Sequence, residues 1–539
     1  MYAIDLFCGA GGFSEGIIQS GFHIVFSSDR SEQVMKTYMN RHHQLGLVQG
    51  YNTHFELADI RELTGNYIYN SINKLEVFSE NPIGEIDAIF GGPPCQGFSR
   101  AGKRDKNDPR NMLFHEYVRI ISEITPKYVV MENVEGFMDA ALDNFFGLDG
   151  RKYPDNTLVS DILQKELSSV GYRVLQPQVL DASDYGVPQR RLRAIFIAYR
   201  EDVIVPRYPK PTTPEWHQKV KIIEAIGDLI LDNEIKEQVN FETSTYLEEN
   251  KRGRTPHVNG HTIAGPSTPV NHETAKHSKV VQERFTLFRE GESSRNVQTR
   301  ISQSGLNLNE QQNLFWECVL NANRAGNSRI IEDFLHNNSP IYKASNEKNK
   351  INLVKSVLTM VSKYLIMLKT EDIELTNKKN IKILYTLEKK TGISKEQFSM
   401  FINQSMVYLN RKFKPNELSN QFIEGTINEE MFEYLLTKKN SRSRLGRYDI
   451  APTMLTLPDD FINPFENRIL TVREMARIQS FDDSFEFLGK RTTGGELRKN
   501  EVPQYTQVGN AVPPLLAFAI ASEIKDALLI NNQQKKIEA

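Results

Sequence analysis

The run Gly91-Gly-Pro-Pro-Cys-Gln-Gly-Phe-Ser99 sets a thiol, Cys95, directly behind two prolines and just after the apolar stretch Asp87 to Phe90. Consecutive prolines make a rigid turn, and a parallel sheet offers side chains to ligands at the carboxyl ends of its strands. A cysteine held there is a candidate nucleophile. Only a few per cent of an unperturbed thiol is ionised at neutral pH, but the thiolate is reactive enough for a well-placed one to suffice. Cys8 and Cys318, the remaining cysteines, have no such setting and read as small buried side chains. Three scattered thiols make neither a disulfide framework nor a CxxC metal site, so no metal is expected.

A second cluster opens the chain. Asp5-Leu-Phe-Cys-Gly-Ala-Gly-Gly-Phe13 is a glycine-rich passage from strand to helix, and Asp29 follows Gly9 by 20 residues at the end of the next apolar stretch. Such glycines let a ligand approach the N–H groups of a helix start, and a carboxylate at that remove can accept both hydroxyls of a ribose. Together they signal a nucleoside cofactor. Ser14 stands where a full G-x-G-x-x-G would place its last glycine, so the residues alone leave NAD, FAD and S-adenosylmethionine open.

These clusters require a scaffold of alternating strands and helices. Apolar runs predict strands at Ala3 to Phe7, Ile24 to Ser28, Asp87 to Phe90 and Tyr128 to Met131, with Val174 to Leu180 and Ala194 to Tyr199 as a closing pair. Helical patterns fall at Gly12 to Ser20, Ser31 to Arg41 and Met112 to Glu123. The result is a doubly wound α/β lobe. After Pro206 that rhythm stops, which predicts a boundary near 205. Between about 295 and 440 the text turns Asn- and Lys-rich with helical periodicity, as in Leu353, Val357, Met360, Val361, Tyr364, Leu365 and Leu368. Helices are expected again at Val472 to Gln479 and after Pro514.

Composition narrows the function classes. The 539 residues hold 66 Lys and Arg against 68 Asp and Glu, with 39% hydrophobic and 25% charged residues, which excludes whole-chain disorder. No uninterrupted apolar run approaches a membrane span and Met1-Tyr-Ala-Ile-Asp5 lacks a basic leader, so a cytoplasmic chain with no membrane partner is expected. Near-neutral total charge means that a polyanionic partner must be sought locally. Residues 341 to 440 supply the candidate, with 17 Lys and Arg against 11 Asp and Glu.

The sequence resembles the DNA (cytosine-5) methyltransferases that use S-adenosylmethionine. The Gly-Pro-Pro-Cys-Gln-Gly-Phe-Ser run is similar to their nucleophile motif and Asp5 to Phe13 to their cofactor motif. Glu132-Asn133-Val134, Gln189-Arg-Arg-Leu-Arg193, Arg473-Glu-Met-Ala-Arg-Ile-Gln479 and Gln507-Val-Gly-Asn-Ala-Val-Pro-Pro514 follow in the family's order. The resemblance implies an S-adenosylmethionine-dependent, Rossmann-like fold with a second, largely helical target-recognition domain. It divides the chain into a catalytic lobe at 1–205, a recognition domain at 206–445 and a return segment at 446–539.

The resemblance also implies the chemistry. Carbon 5 of cytosine is too weak a nucleophile to take a methyl group unaided, so Cys95 is expected to add to carbon 6 first, with Glu132 at ring nitrogen 3 and Arg193 and Arg191 stabilising the developing charge. Phe7, Gly9, Gly11, Gly12, Asp29, Asp59, Ile60, Pro93, Leu113, Asn510 and Ala511 are the implied cofactor residues. The ribose acid is often Glu in the family and is Asp29 here, followed by Arg30 where an aromatic is common. A base inside a duplex must be rotated out of the stack to be reached, and Lys103, Arg104, Lys106 and Arg110 form a basic loop suited to phosphates beside it. The implied partners are double-stranded DNA and a cognate restriction endonuclease, for a monomer. A transfer RNA cytosine-5 methyltransferase carries the same motifs and is the alternative. A Rossmann oxidoreductase is disfavoured by Pro93-Pro94-Cys95 with Glu132, an inactive DNA-binding module by retention of Cys95 and Glu132. An aminomethyltransferase would show Asp/Asn-Pro-Pro-aromatic, which is absent at 92 to 95.

Overall fold

The computed structural model describes residues 1–94, 112–370, 373–409, 415–437, 441–493 and 501–538. Cys95 and the basic loop with Lys103, Arg104, Lys106 and Arg110 lie outside these residues. The chain forms two compact units, one of Met1–Thr274, Gly446–Pro458 and Leu470–Ala539, the other of Ala275–Leu445 and Asp459–Ile469.

In the first unit the strands are β1 (Tyr2–Leu6), β2 (His23–Asp29), β3 (His54–Leu57), β4 (Ala88–Gly91), β5 (Tyr128–Val134), the hairpin of β6 (Ala141–Leu142) and β7 (Thr157–Leu158), then β8 (Tyr172–Val174), β9 (Gln178–Asp181) and β10 (Leu192–Arg200). Helices α1 (Gly12–Gln19), α2 (Glu32–Gln44), α3 (Gly65–Asn73), α4 (Leu113–Ile124) and α5 (Val159–Ser169) alternate with them. The main sheet runs β3-β2-β1-β4-β5-β10-β8, with β9 also paired to β10. Strands β1 to β5 are mutually parallel and β10 is antiparallel to its neighbours. Strand order reverses between β1 and β4, and that switch point opens a crevice at their carboxyl ends. Both faces of a parallel sheet must be covered. One is packed by α3, α4 and α5 through Ile68, Ile72, Val118, Ile121 and Ile162. The other is covered through Ile17 of α1 and Leu516, Ile520 and Ile524 near the C-terminus.

The first unit reaches Thr274 rather than stopping at the composition shift near 205. Short helices α6 (Ile222–Ile226), α7 (Asn233–Val239) and α8 (Thr245–Arg252) occupy this stretch. Polar contacts fasten it to residues 470–493: Tyr246 donates to the Arg477 carbonyl, and Arg254 pairs with Asp482 at 3.0 Å.

The second unit is helical. It comprises α9 (Lys279–Thr286), α10 (Ser294–Ser304), α11 (Gln312–Ala322), α12 (Arg324–Asn338), α13 (Pro340–Ala344), α14 (Glu347–Thr370), α15 (Ile373–Thr391), α16 (Lys395–Leu409), α17 (Pro415–Glu424) and α18 (Glu429–Leu436), with a small parallel pair, β11 (Ser443–Arg444) and β12 (Phe461–Ile462). Phe285, Val297, Leu314, Phe422 and Phe432 centre one core. Ile331, Leu335, Val357, Val361, Leu387 and Phe398 centre another. Among the described helices α14 is long and apolar enough to cross a membrane, with a mean hydropathy of 1.4 over its most apolar 18 residues, but its Val357, Val361 and Leu365 are packed in this core. Leu368, expected on the same apolar face, is exposed. The first unit closes with α19 (Val472–Ile478), α20 (Gln504–Asn510) and α21 (Pro514–Glu538).

Candidate active site

The turn after β1 is built from left-handed residues, Phe7 at φ 57°, Gly9 at 54° and Gly11 at 99°. Glycine takes this conformation freely, whereas at Phe7 it costs about 1 to 3 kcal/mol, a strain that tends to be kept where it positions a ligand. Asp29, at the end of β2, faces the turn and accepts from the N–H groups of Gly9 (3.2 Å) and Ser31 (2.8 Å). Beyond β3, Asp59 is paired with Arg61 at 2.6 Å, and that hydrogen-bonded guanidinium holds its carboxyl down at about 2.

These residues border a cleft of about 1230 Å³ in the first unit. Phe7, Gly9, Gly12, Asp29, Asp59, Ile60, Pro93, Leu113, Asn510 and Ala511 all line it, as do Glu132, Arg191 and Arg193. Gly11 does not; it abuts Tyr38, whose ring a β-carbon there would meet at 3.2 Å. Gly12 is needed for a different contact, because a β-carbon would lie 2.3 Å from the Val512 carbonyl.

The far end of the cleft rests on β5 and β10. Arg193 pairs with Val134 across the ladder and Ile195 with Glu132, so Arg193 and Glu132 are diagonal neighbours on one face. Their side chains meet at 2.5 Å, each about a tenth exposed. Gly92 leaves room for this pair, since its β-carbon would come within 3.1 Å of Glu132 Oε2. Asn133 donates to the Pro93 carbonyl at 3.1 Å and so ties the Pro-Pro turn to β5.

Arg191 is buried and donates to the carbonyls of Met454 (3.2 Å) and Gly509 (2.9 Å). Burial, reinforced by the Arg193 cation and opposed by Glu132, pushes its pKa well below the usual arginine range. Gln189 accepts from the Met454 N–H at 2.7 Å and donates to Gln479, which donates to the Val508 carbonyl. Three separate motifs are thereby knotted behind the cleft. Arg473 and Arg477 stand outside it: Arg473 spends its donors on the carbonyls of Val270, Asp482 and Phe485, and Arg477 on Asp483 and Asp228. Their part of the family-like text is structural.

Residues overlooked in the sequence also face the cleft. Asp5 is buried; the Ser14 hydroxyl donates to its Oδ2, and Oδ1 has no hydrogen-bond partner among the described residues. Burial pushes it up to about 7, against the Ser14 hydrogen bond and with the help of Asp29. A carboxylate in the opening strand was the available signal. Pro452 to Thr456 line the cleft too, and no residue in that stretch advertises chemistry. An apolar wall of Phe7, Ile60 and Leu113, acceptors at Asp29 and Asp59, and buried atoms without a partner among the described residues at Asp5 Oδ1 and Arg191 Nε fit a ligand that is part nucleoside and part zwitterion.

The family model for C-5 cytosine-specific DNA methylases matches residues 1–330 and 327–526. The Type II methyltransferase M.DdeI of Desulfomicrobium norvegicum is 26% identical over 554 residues, spanning 100% of this chain and 92% of its own. M.AgeI of Thalassovita gelatinovora is 24% identical, covering 98% of this chain and 100% of its own. M.XorII of Xanthomonas oryzae reaches 34% over 42% of this chain and 46% of its own. Among solved structures, a prophage-encoded Escherichia coli protein described as a DNA modification methyltransferase superposes with a TM-score of 0.52 at 18% identity, over 98% of this chain and 99% of that one. That likeness concerns the fold alone. With the motifs in order and the family model covering most of its length, this chain belongs to the C-5 cytosine-specific DNA methylases.

Proposed function

We propose that the chain methylates carbon 5 of a cytosine flipped out of duplex DNA, with S-adenosylmethionine as donor and Cys95 as covalent nucleophile. The observation that carries the reading is the Glu132–Arg193 pair, 2.5 Å apart, beside the Pro93-Pro94 turn that leads into Cys95. Phe7 and Ile60 would pack on the adenine with Asp59 beside it, Asp29 would accept from the ribose hydroxyls and Leu113 would close the pocket. Gly9, Gly12, Pro93, Asn510 and Ala511 lie toward the methionine, while Gly11 serves the turn. Bound there, S-adenosylmethionine supplies an electrophilic methyl group to carbon 5.

The protein's own residues prepare the ring for it. The Cys95 thiolate adds to carbon 6, forming a carbon–sulfur bond and sending electron density toward carbon 5 and ring nitrogen 3. Glu132 gives a proton to that nitrogen and Arg193 stabilises the carbonyl oxygen, with Arg191 holding the strand end in place. Once carbon 5 is methylated it loses its proton to solvent, the carbon 5–carbon 6 double bond re-forms, and the Cys95 sulfur is expelled as Glu132 recovers its proton.

Full-length similarity to Type II methyltransferases supports a place in a restriction-modification system, with a cognate endonuclease cutting the same site when it is unmethylated. We assign base reading to the region 206–445, since the motif text lies outside it, and place the enzyme in the cytoplasm as a monomer. Cys95→Ala tests the mechanism. It should abolish methyl transfer to DNA, and trapping on 5-fluorocytosine duplexes, while cofactor binding persists. Turnover by that variant would end the covalent mechanism, and preferential methylation of transfer RNA by the wild type would replace the substrate.

A further inference from the structure

Two helices of the second unit carry a charge pattern that the methyl-transfer chemistry does not use. Helix α14 holds five lysines against one glutamate and α15 five against two, and neither contains an arginine. The helices pack side by side, and Lys390 near the end of α15 touches Ser356 in the first half of α14 at 3.1 Å, so they run antiparallel. Val357 and Val361 of α14 and Leu387 of α15 turn toward the core. On the opposite side Lys348, Lys355 and Lys363 of α14, and Lys382 and Lys389 of α15, are exposed.

Helical geometry aligns these lysines. Steps of seven or eight residues are about two turns, which keeps them on one face and separates them by roughly 10 to 12 Å. Among the described residues none of the five forms an ion pair; Glu347 pairs with Lys350 and Glu396 with Lys395, while Glu388 directly precedes Lys389 on α15. Tyr385, half exposed, sits between Lys382 and Lys389. Exposed ammonium groups in two rows create a local positive potential that attracts a polyanion laid across them. Lysine is a compact point charge suited to phosphate, and arginine, whose planar fork favours bidentate contacts, is absent from these helices.

We propose that the outward faces of α14 and α15 form a sequence-independent strip that grips the phosphate backbone of the DNA duplex, separate from the residues that read bases. The inference rests on duplex DNA being the substrate. It makes the strip a contributor to affinity and to salt dependence, and leaves the choice of cytosine to other parts of the chain.

The test uses the full-length enzyme, with K348E/K355E/K363E and K382E/K389E as charge reversals and the matching Lys→Gln sets as milder versions. Binding to duplexes with long flanks is measured against salt, and methylated sites are mapped across a plasmid. Each lysine that touches a phosphate should lower the logarithmic salt slope by about 0.9, and the triple reversal should weaken binding at ~0.15 M salt at least about tenfold. The loss should be equal on cognate and unrelated sequences, the Lys→Gln sets intermediate, and kcat at saturating DNA and the methylated sites unchanged. An unaltered salt slope overturns the proposal, and so does a change in the sites methylated. If the wild type itself failed to methylate duplex DNA in the same assay, the substrate reading would fall instead, so the two failures are distinct.

Discussion

The buried interior of the first unit and the lysine rows of the second use positive charge in opposite ways. Arg191 and Arg473 are buried, and their guanidinium groups are spent on named backbone carbonyls. Lys348, Lys355, Lys363, Lys382 and Lys389 are exposed and act by number and spacing. A cation in a low-dielectric interior is held by specific acceptors, which fixes both its residue type and its neighbours. An exposed cation tolerates many arrangements. The interior therefore leaves motifs in a sequence, while the surface leaves only composition.

The contrast is sharpest in single substitutions. Glu132→Gln should reduce kcat by about 10² to 10⁴-fold with cofactor affinity barely moved, whereas Lys389→Gln should leave kcat at saturating DNA intact; similar losses of kcat from both would break the distinction. Arg473→Met comes next. It leaves Asp483, 3.7 Å away, without one of its cations, and should destabilise the first unit by about 3 to 5 kcal/mol in denaturant titrations. Exchanging any one of the five strip lysines should stay within about 0.5 kcal/mol.

Asp29→Ala removes an acceptor already held by two N–H groups and should weaken S-adenosylmethionine binding by about 1 to 3 kcal/mol, read by calorimetry. Undiminished affinity would show that the ribose is held elsewhere. A pH-dependent effect concerns His42, buried against Tyr38 with Nε2 lacking a partner among the described residues. Burial, with the His23 and Arg41 cations, pushes it from 6.5 down to about 3. The unfolded chain takes up that proton as pH falls below 6.5 while the folded one cannot until about 3, so stability is lost across that window. His42→Phe should flatten the slope of stability against pH there. A curve parallel to the wild type would show that other groups set it.

Strands β1, β4 and β5 were legible because strands buried on both faces read as apolar runs. Strand β3 was not: His54-Phe-Glu-Leu57 is short, lies at the sheet edge and mixes polar with apolar residues. The cleft residues were legible as types in an order, but their roles were not all separable. Gly11 resembles Gly9 in sequence and faces Tyr38 instead of the cleft, and Gln189 and Gln479 tie motifs together through bonds that spacing cannot reveal. The boundary at Thr274 was hidden for a related reason. Tyr246 and Arg254 hold 206–274 to the first unit by contacts more than two hundred positions away.

Helix α21 lies against α1, where Gly12 and Gly16 have no side chain to keep Val512 and Ala517 away. Gly12 and Val512 are five hundred positions apart, so part of one sheet face stays uncovered until the ribosome has added some five hundred residues after α1. Nascent chains would wait with an apolar face open to chaperones, and folding should be slow for lack of local contacts. A rearranged gene that encodes α21 ahead of β1 should shorten that wait and yield more folded enzyme per ribosome at elevated temperature.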